Sequence, residues 1–215
     1  MIARLPLLYT LALVLVGNAL AATGKVERIG AITTAGVSDE LHQVVEAKGY
    51  RVTLEDGWTA DFWLVKQLKT AEQDVPGALY PQLTNGQFVG VVNFPQGFSD
   101  YRGQSIAPGA YTLRYQLLPQ DGNHLGVAPN PDFLLAIPAA ADSRPEQSYV
   151  YKKLVALSAK STGTNHPAVI ALESPADAAT VVKTDHGTVV FSLSVPTESG
   201  QPEKIGIVIK GSAAQ

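Results

Sequence analysis

Three short turns place a histidine beside an oxygen-bearing residue: Asp121-Gly122-Asn123-His124, Thr164-Asn165-His166-Pro167 and Thr184-Asp185-His186-Gly187. Imidazole is the commonest transition-metal ligand, and a neighbouring carboxylate or amide can fix which ring nitrogen carries the proton. If two of these loops gathered at one end of a fold, His124, Asp121 and His186 could together hold zinc or copper(II). The same residue types also serve tight turns, because Asp, Asn, Gly and His tolerate or bond to left-handed backbone. No H-x-H or H-x3-H spacing fixes two ligands on one element. His166, next to Pro167, reads as a structural loop residue, and His42 falls on the polar side of a short helix. Asp121 and Asn123 lie two apart, as calcium ligands do, but the further oxygens and closing glutamate of an EF-type loop are missing.

Other chemistries find less support. The chain has no cysteine, and its one methionine is Met1. A thiol nucleophile is therefore excluded, and blue-copper or Cu(I) sites lack their soft ligands. No G-x-S-x-G elbow occurs, since Gly103-Gln104-Ser105-Ile106 lacks the second glycine. H-E-x-x-H, G-x-G-x-x-G and P-loop patterns are also missing. A carboxylate pair of the glycosidase kind is defined by distance in space, so sequence leaves that enzyme reading open. Aromatic residues in loops are the remaining signal: Tyr80, Phe98, Tyr101 and Tyr149. Asp100, Tyr101 and Arg102 form the richest group, and such residues at a loop tip suit recognition of a ligand or partner.

The N-terminus indicates the compartment. Arg4 precedes an apolar run from Leu5 to Val16, followed by Ala19-Leu20-Ala21. A charged start, a short apolar core and an A-x-A site are the parts of a secretory signal peptide, expected over residues 1–21 with cleavage after Ala21 or one residue later. The run is too short for a stable span, which needs about 20 apolar residues. The mature chain is expected to be exported, periplasmic or extracellular, with no membrane attachment after cleavage. Without cysteine it has no disulfide and no thiol to lipidate, so its core must hold it together. The full sequence's formal net charge of −3, with no basic cluster, argues against nucleic acid as a partner.

The elements that must carry these loops are mostly strands. Ser38, followed by Asp39 and Glu40, caps a short helix that Gly49 would stop. Glu55-Asp56-Gly57 then joins two β-rich runs in a hairpin. Along the second arm Trp58, Ala60, Phe62 and Leu64 share one face while Trp63 and Val65 share the other, so part of that strand should be covered on both sides. Phe88–Phe94, Ala110–Leu117 and Phe133–Ile137 read as further strands. In the second of these Tyr111, Leu113, Tyr115 and Leu117 alternate with Thr112, Arg114 and Gln116, which predicts one core face and one wet face. Ser143 and Glu146 have capping-box spacing ahead of a helix that carries Tyr151, Leu154, Val155 and Ser158 and ends at Gly163. Strands follow over Ala168–Leu172, Thr180–Lys183, Thr188–Val195 and Lys204–Lys210, with a hairpin at Thr184–Gly187.

Several stretches together resemble a group of uncharacterised exported bacterial proteins with no assigned activity: GYRVTLEDG from Gly49, DYRGQSIAPGAYTLRYQLLPQDGNH from Asp100, DFLLAIPAAAD from Asp132 and STGTNHPAV from Ser161. The likeness runs from about Gly49 to Val169. It implies one secreted domain and brings no catalytic or binding residues with it.

The expected architecture is mainly β: an antiparallel β-sandwich with two short helices over residues 22–215, or α+β if the helices enter the core. The leading functional expectation is a non-catalytic binding or interaction module for a small molecule, glycan or protein, without cofactor. The alternatives are a metal-binding protein built on the histidine loops, with a transition metal bound, and an enzyme whose carboxylates only the fold brings together.

Overall fold

Short apolar runs separated by Gly, Pro and Asp turns produce twelve strands in the computed structural model, which describes residues 23–71, 73–119 and 128–211. The segment expected to be a signal peptide and the pair Asp121 and His124 lie outside the described residues. Ten strands form one antiparallel sheet. Its first six strands in order are β1 (Gly24–Ile29), β2 (Gly49–Leu54), β3 (Thr59–Leu64), β4 (Phe88–Phe94), β7 (Gly109–Leu117) and β8 (Asp132–Pro138). Then come β9 (Ala168–Glu173), β12 (Glu203–Lys210), β11 (Val189–Val195) and β10 (Thr180–Lys183). A separate two-stranded ribbon joins β5 (Phe98–Ser99) to β6 (Ser105–Ile106).

The sheet curls until its ends nearly meet, with Thr23 N–H donating to Val181 O at 3.2 Å. The two layers of the expected sandwich are thus two sides of one nearly closed barrel. The corner is β9: it pairs with β8 through Ala168–Ala171 and with β12 only at Leu172 and Glu173. There the chains approach closely, because a Cβ on Gly206 would lie 2.3 Å from Glu173 O.

Inward-facing side chains fill the interior, among them Phe62, Leu113, Phe191, Leu193, Ile205 and Ile207. Trp58, Phe94, Phe98 and Tyr111 stack across one end. Tyr80, Leu68 and Leu83 plug the other. Tyr80 donates to Glu173 O and accepts from Gly206 N–H (2.8 Å), and Tyr115 donates to Asp132 Oδ2 (3.2 Å).

Both helices pack on the outside of the barrel, so the mainly β description holds. The first, α1 (Asp39–Val44), has Ser38 as its cap, with Leu41 N–H donating to Ser38 Oγ. It ends before Gly49 because Val45 already bridges to Val65. Leu41 and Val45 cover Trp63 and Val91, the outer face of β3 and β4, as the two-faced pattern of that strand predicts. The second, α2 (Tyr151–Thr162), presses Leu154 and Leu157 onto Phe133, Leu135 and Val169. Burying each leucine contributes about 1.5–3 kcal/mol. Ser158 and Ser161 donate to Ala136 O, which locks the helix to β8.

Two local expectations are corrected. The Ser143–Glu146 capping box does not form, and α2 starts at Tyr151 with Val150 as an N-cap lacking any side-chain bond. The reason is Arg114, whose guanidinium donates to the carbonyls of Arg144, Pro145 and Gln147 and holds that segment out of helix. The expected wet face of β7 is also dry. Thr112, Arg114 and Gln116 are all buried, the first two against the chain between β8 and α2 and Gln116 against Asn85 before β4. The hairpin at Thr184–Gly187 forms as expected, with Thr184 N–H donating to Thr188 O and Gly187 at φ +85°.

Candidate functional site

Asp100 is fully buried at the tip of the β5–β6 ribbon. Its Oδ1 accepts the N–H groups of Arg102 (3.0 Å) and Gln104 (2.8 Å). Its Oδ2 accepts the Gln104 side-chain amide (2.8 Å) and Val169 N–H (3.1 Å). Both oxygens are engaged, so Asp100 shapes the loop and cannot itself touch a ligand. Tyr101 N–H donates to Val169 O in return, at 3.2 Å. The ribbon tip therefore occupies the β9 edge where β12 does not pair. Tyr101 lies half-buried on Ala171, Val190 and Val208 and closes the outer face of that corner.

This arrangement brings two sequence-marked loops together. Gln104 donates to Pro167 O (3.0 Å) and accepts from Thr164 Oγ1 (3.1 Å), which ties the ribbon tip to the turn before β9. In that turn His166 N–H donates to Thr164 Oγ1, and His166 O accepts from Thr162 Oγ1. Arg102 and His166 are exposed on rigid backbone beside each other's loops.

Between them and α2 runs a slot of about 190 Å³ along the outer face of β8 and β9. Phe133, Leu135 and Val169 line its floor, Tyr151 and Val155 belong to the helix wall, and Arg102, Asn165 and His166 supply its polar groups. No carboxylate lines it. An apolar cleft with a few convergent polar groups is the usual form of a small-ligand site.

A second cleft, of about 210 Å³, lies over Arg114 and includes Lys69 and Glu146, which pair at 2.8 Å. Its floor is not a free cation. Arg114 Nε and Nη2 grip Asp142 (2.6 and 2.8 Å), Nη1 donates to Gly86 O and Gln147 O, and Nη2 also reaches Arg144 O. Thr112 donates to the same carboxylate, and the Tyr149 ring sits 5.0 Å from the guanidinium. Burial is the main cause that raises the Tyr149 hydroxyl above its ordinary value. Sequence reading missed this pair; the only available signal was an arginine alternating into an apolar strand.

The other loop aromatics are used in packing: Tyr80 in the barrel plug and Phe98 stacked on Phe94 at 4.7 Å. His42 is exposed on α1, as expected. His186 is exposed at the β10–β11 turn, at the Val189 end of the barrel. The described residues flanking the Asp121–His124 segment emerge where Leu117 pairs with Asp132, at the other end. Among the described residues no three His, Asp or Glu side chains are gathered as a metal would require.

Comparisons with known protein families, curated proteins and solved structures return no match.

Proposed function

We propose that this chain is an exported, non-catalytic binding module, periplasmic or extracellular, whose ligand site is the slot between α2 and the β5–β6 ribbon. The observation that carries the reading is the convergence of Arg102, Asn165 and His166 over an apolar floor, on loops that Asp100 and Gln104 make rigid. A filled barrel interior leaves recognition to the outer surface. The buried carboxylates also favour binding over turnover, because each accepts hydrogen bonds on both oxygens: Asp61 from Arg51, Asp100 as above, Asp142 from Arg114 and Thr112, and Asp132 from the N–H groups of Leu79 and Tyr80 with the Tyr115 hydroxyl. Such groups are committed to structure, each held in place by donors on both oxygens. The export half of the reading rests on the Arg4, Leu5–Val16 and Ala19–Ala21 pattern.

Amide chemical-shift mapping with two neutral probes, indole and benzyl alcohol, tests the site. Shifts gathered at Arg102, Tyr151, Asn165, His166 and Val169 are expected. Shifts centred elsewhere, or turnover of either probe, would overturn it. N-terminal sequencing of the secreted chain should begin at Ala22 or one residue later.

A further inference from the structure

Resting on the reading of the slot as the ligand site, we infer the chemical class of its ligand: a small free carboxylic acid with a compact apolar body, an aryl- or alkyl-carboxylate. Three observations converge on this class. The first is size. A dry apolar cavity of about 150 Å³ accommodates benzene, so a slot of about 190 Å³ holds one ring or a short alkyl chain, and not several residues of a peptide. The floor of Phe133, Leu135 and Val169 offers that body only dispersion and burial.

Charge is the second. The lining contains one permanent cation, Arg102, and no acidic residue. Among the described residues no carboxylate pairs with the Arg102 side chain, whereas Arg51 and Arg114 are held by Asp61 and Asp142. A guanidinium fork matches a carboxylate in two parallel hydrogen bonds, which a lysine in its place would not do.

The third is preorganisation. Arg102 N–H is fixed on Asp100 at 3.0 Å, and Asp100 is fixed on Val169, whose own side chain lines the floor. The backbone that carries Arg102 and the strand that carries the apolar surface are thus held together before any ligand arrives, which limits the ordering cost of binding to that of the Arg102 side chain.

Titration calorimetry on the exported chain with three probes tests the inference: 3-phenylpropanoate, its neutral amide, and the uncharged peptide acetyl-glycyl-phenylalanine amide. The free acid should bind at least about tenfold more tightly than the amide, as a charge-assisted bidentate contact requires. Arg102→Gln should erase that preference without moving the unfolding midpoint, because Arg102 is exposed. Val155→Trp should block both probes by filling the slot. Equal binding of acid and amide would overturn the anion inference while leaving the slot as a site. Tighter binding of the peptide would overturn the free acid as occupant. Binding of none of the three at millimolar concentration would overturn the inference too, and the indole and benzyl alcohol shifts would then judge the slot separately.

Discussion

Asp100 and Val169, separated by 69 positions in sequence, are joined by a carboxylate that accepts a strand's amide: Asp100 Oδ2 takes Val169 N–H at 3.1 Å. The contact stands in for a missing ladder bond at the barrel corner and aims the Arg102 loop. Asp100→Asn would turn an amide NH2 toward donors that need an acceptor. The expected loss is about 1–3 kcal/mol, the usual cost of buried groups left unsatisfied, together with weaker probe binding at the slot. Urea unfolding with parallel shift mapping checks it. An unchanged midpoint would mean that the carboxylate is not what holds the turn.

Arg114 and Asp142 make the stronger demand on stability, since both are almost completely buried. Removing one partner leaves an uncompensated charge, so Arg114→Met and Asp142→Leu should each cost about 3–5 kcal/mol. The double variant should recover much of that loss, but not all, because the carbonyls of Gly86, Arg144 and Gln147 lose their donor. A double-mutant cycle measures the coupling. Strictly additive losses would contradict a paired role.

High pH should open the barrel. Burial raises the Tyr80 and Tyr115 hydroxyls far above the ordinary tyrosine value, and the charge of Asp132 raises both further. An unfolded tyrosine ionises near 10. Stability that depends on the neutral hydroxyls is therefore complete below about pH 10 and declines above it, by about 1.4 kcal/mol per pH unit for each group, until the folded value is reached. The part of the tyrosinate absorbance that Tyr80→Phe and Tyr115→Phe remove should rise together with the loss of circular dichroism on alkaline titration. Ionisation of Tyr80 or Tyr115 that precedes unfolding would contradict this account.

Gly206 sits where β12, paired with Ser192 of β11 on one side, meets Glu173 of β9 on the other. Gly206→Ala would press a methyl group into Glu173 O, a backbone atom that cannot swing aside. A destabilisation of about 1–3 kcal/mol is expected, in line with other overpacked sites. Hydrogen exchange at Leu172 and Glu173 should accelerate more than exchange within the β2–β3 hairpin. Uniform acceleration would place the strain elsewhere.

Most strands were legible in the sequence because their information is local. Phe88–Phe94 and Thr180–Lys183 match β4 and β10 end to end. The Trp63 and Val65 face asked for a cover, and α1 supplies one. The candidate site was legible only in pieces: Arg102 and His166 stood out singly, and nothing in their spacing shows that Gln104 bridges their loops.

What the sequence by itself determined is the set of short strands, their turns, the two helical segments and the lack of thiol chemistry, all consequences of periodicity, turn residues and composition. What only the tertiary structure decided is which polar residues face inward and which loops meet. Arg114 alternates as a wet residue should, yet it lies buried because a segment some thirty positions later wraps over it. Asp100 looks like part of a recognition tip, yet its lone pairs are taken by a strand 69 positions away. Burial and hydrogen-bond partnership are set by chain crossings, and a period of two records only which side of a strand a residue is on, not what lies on that side.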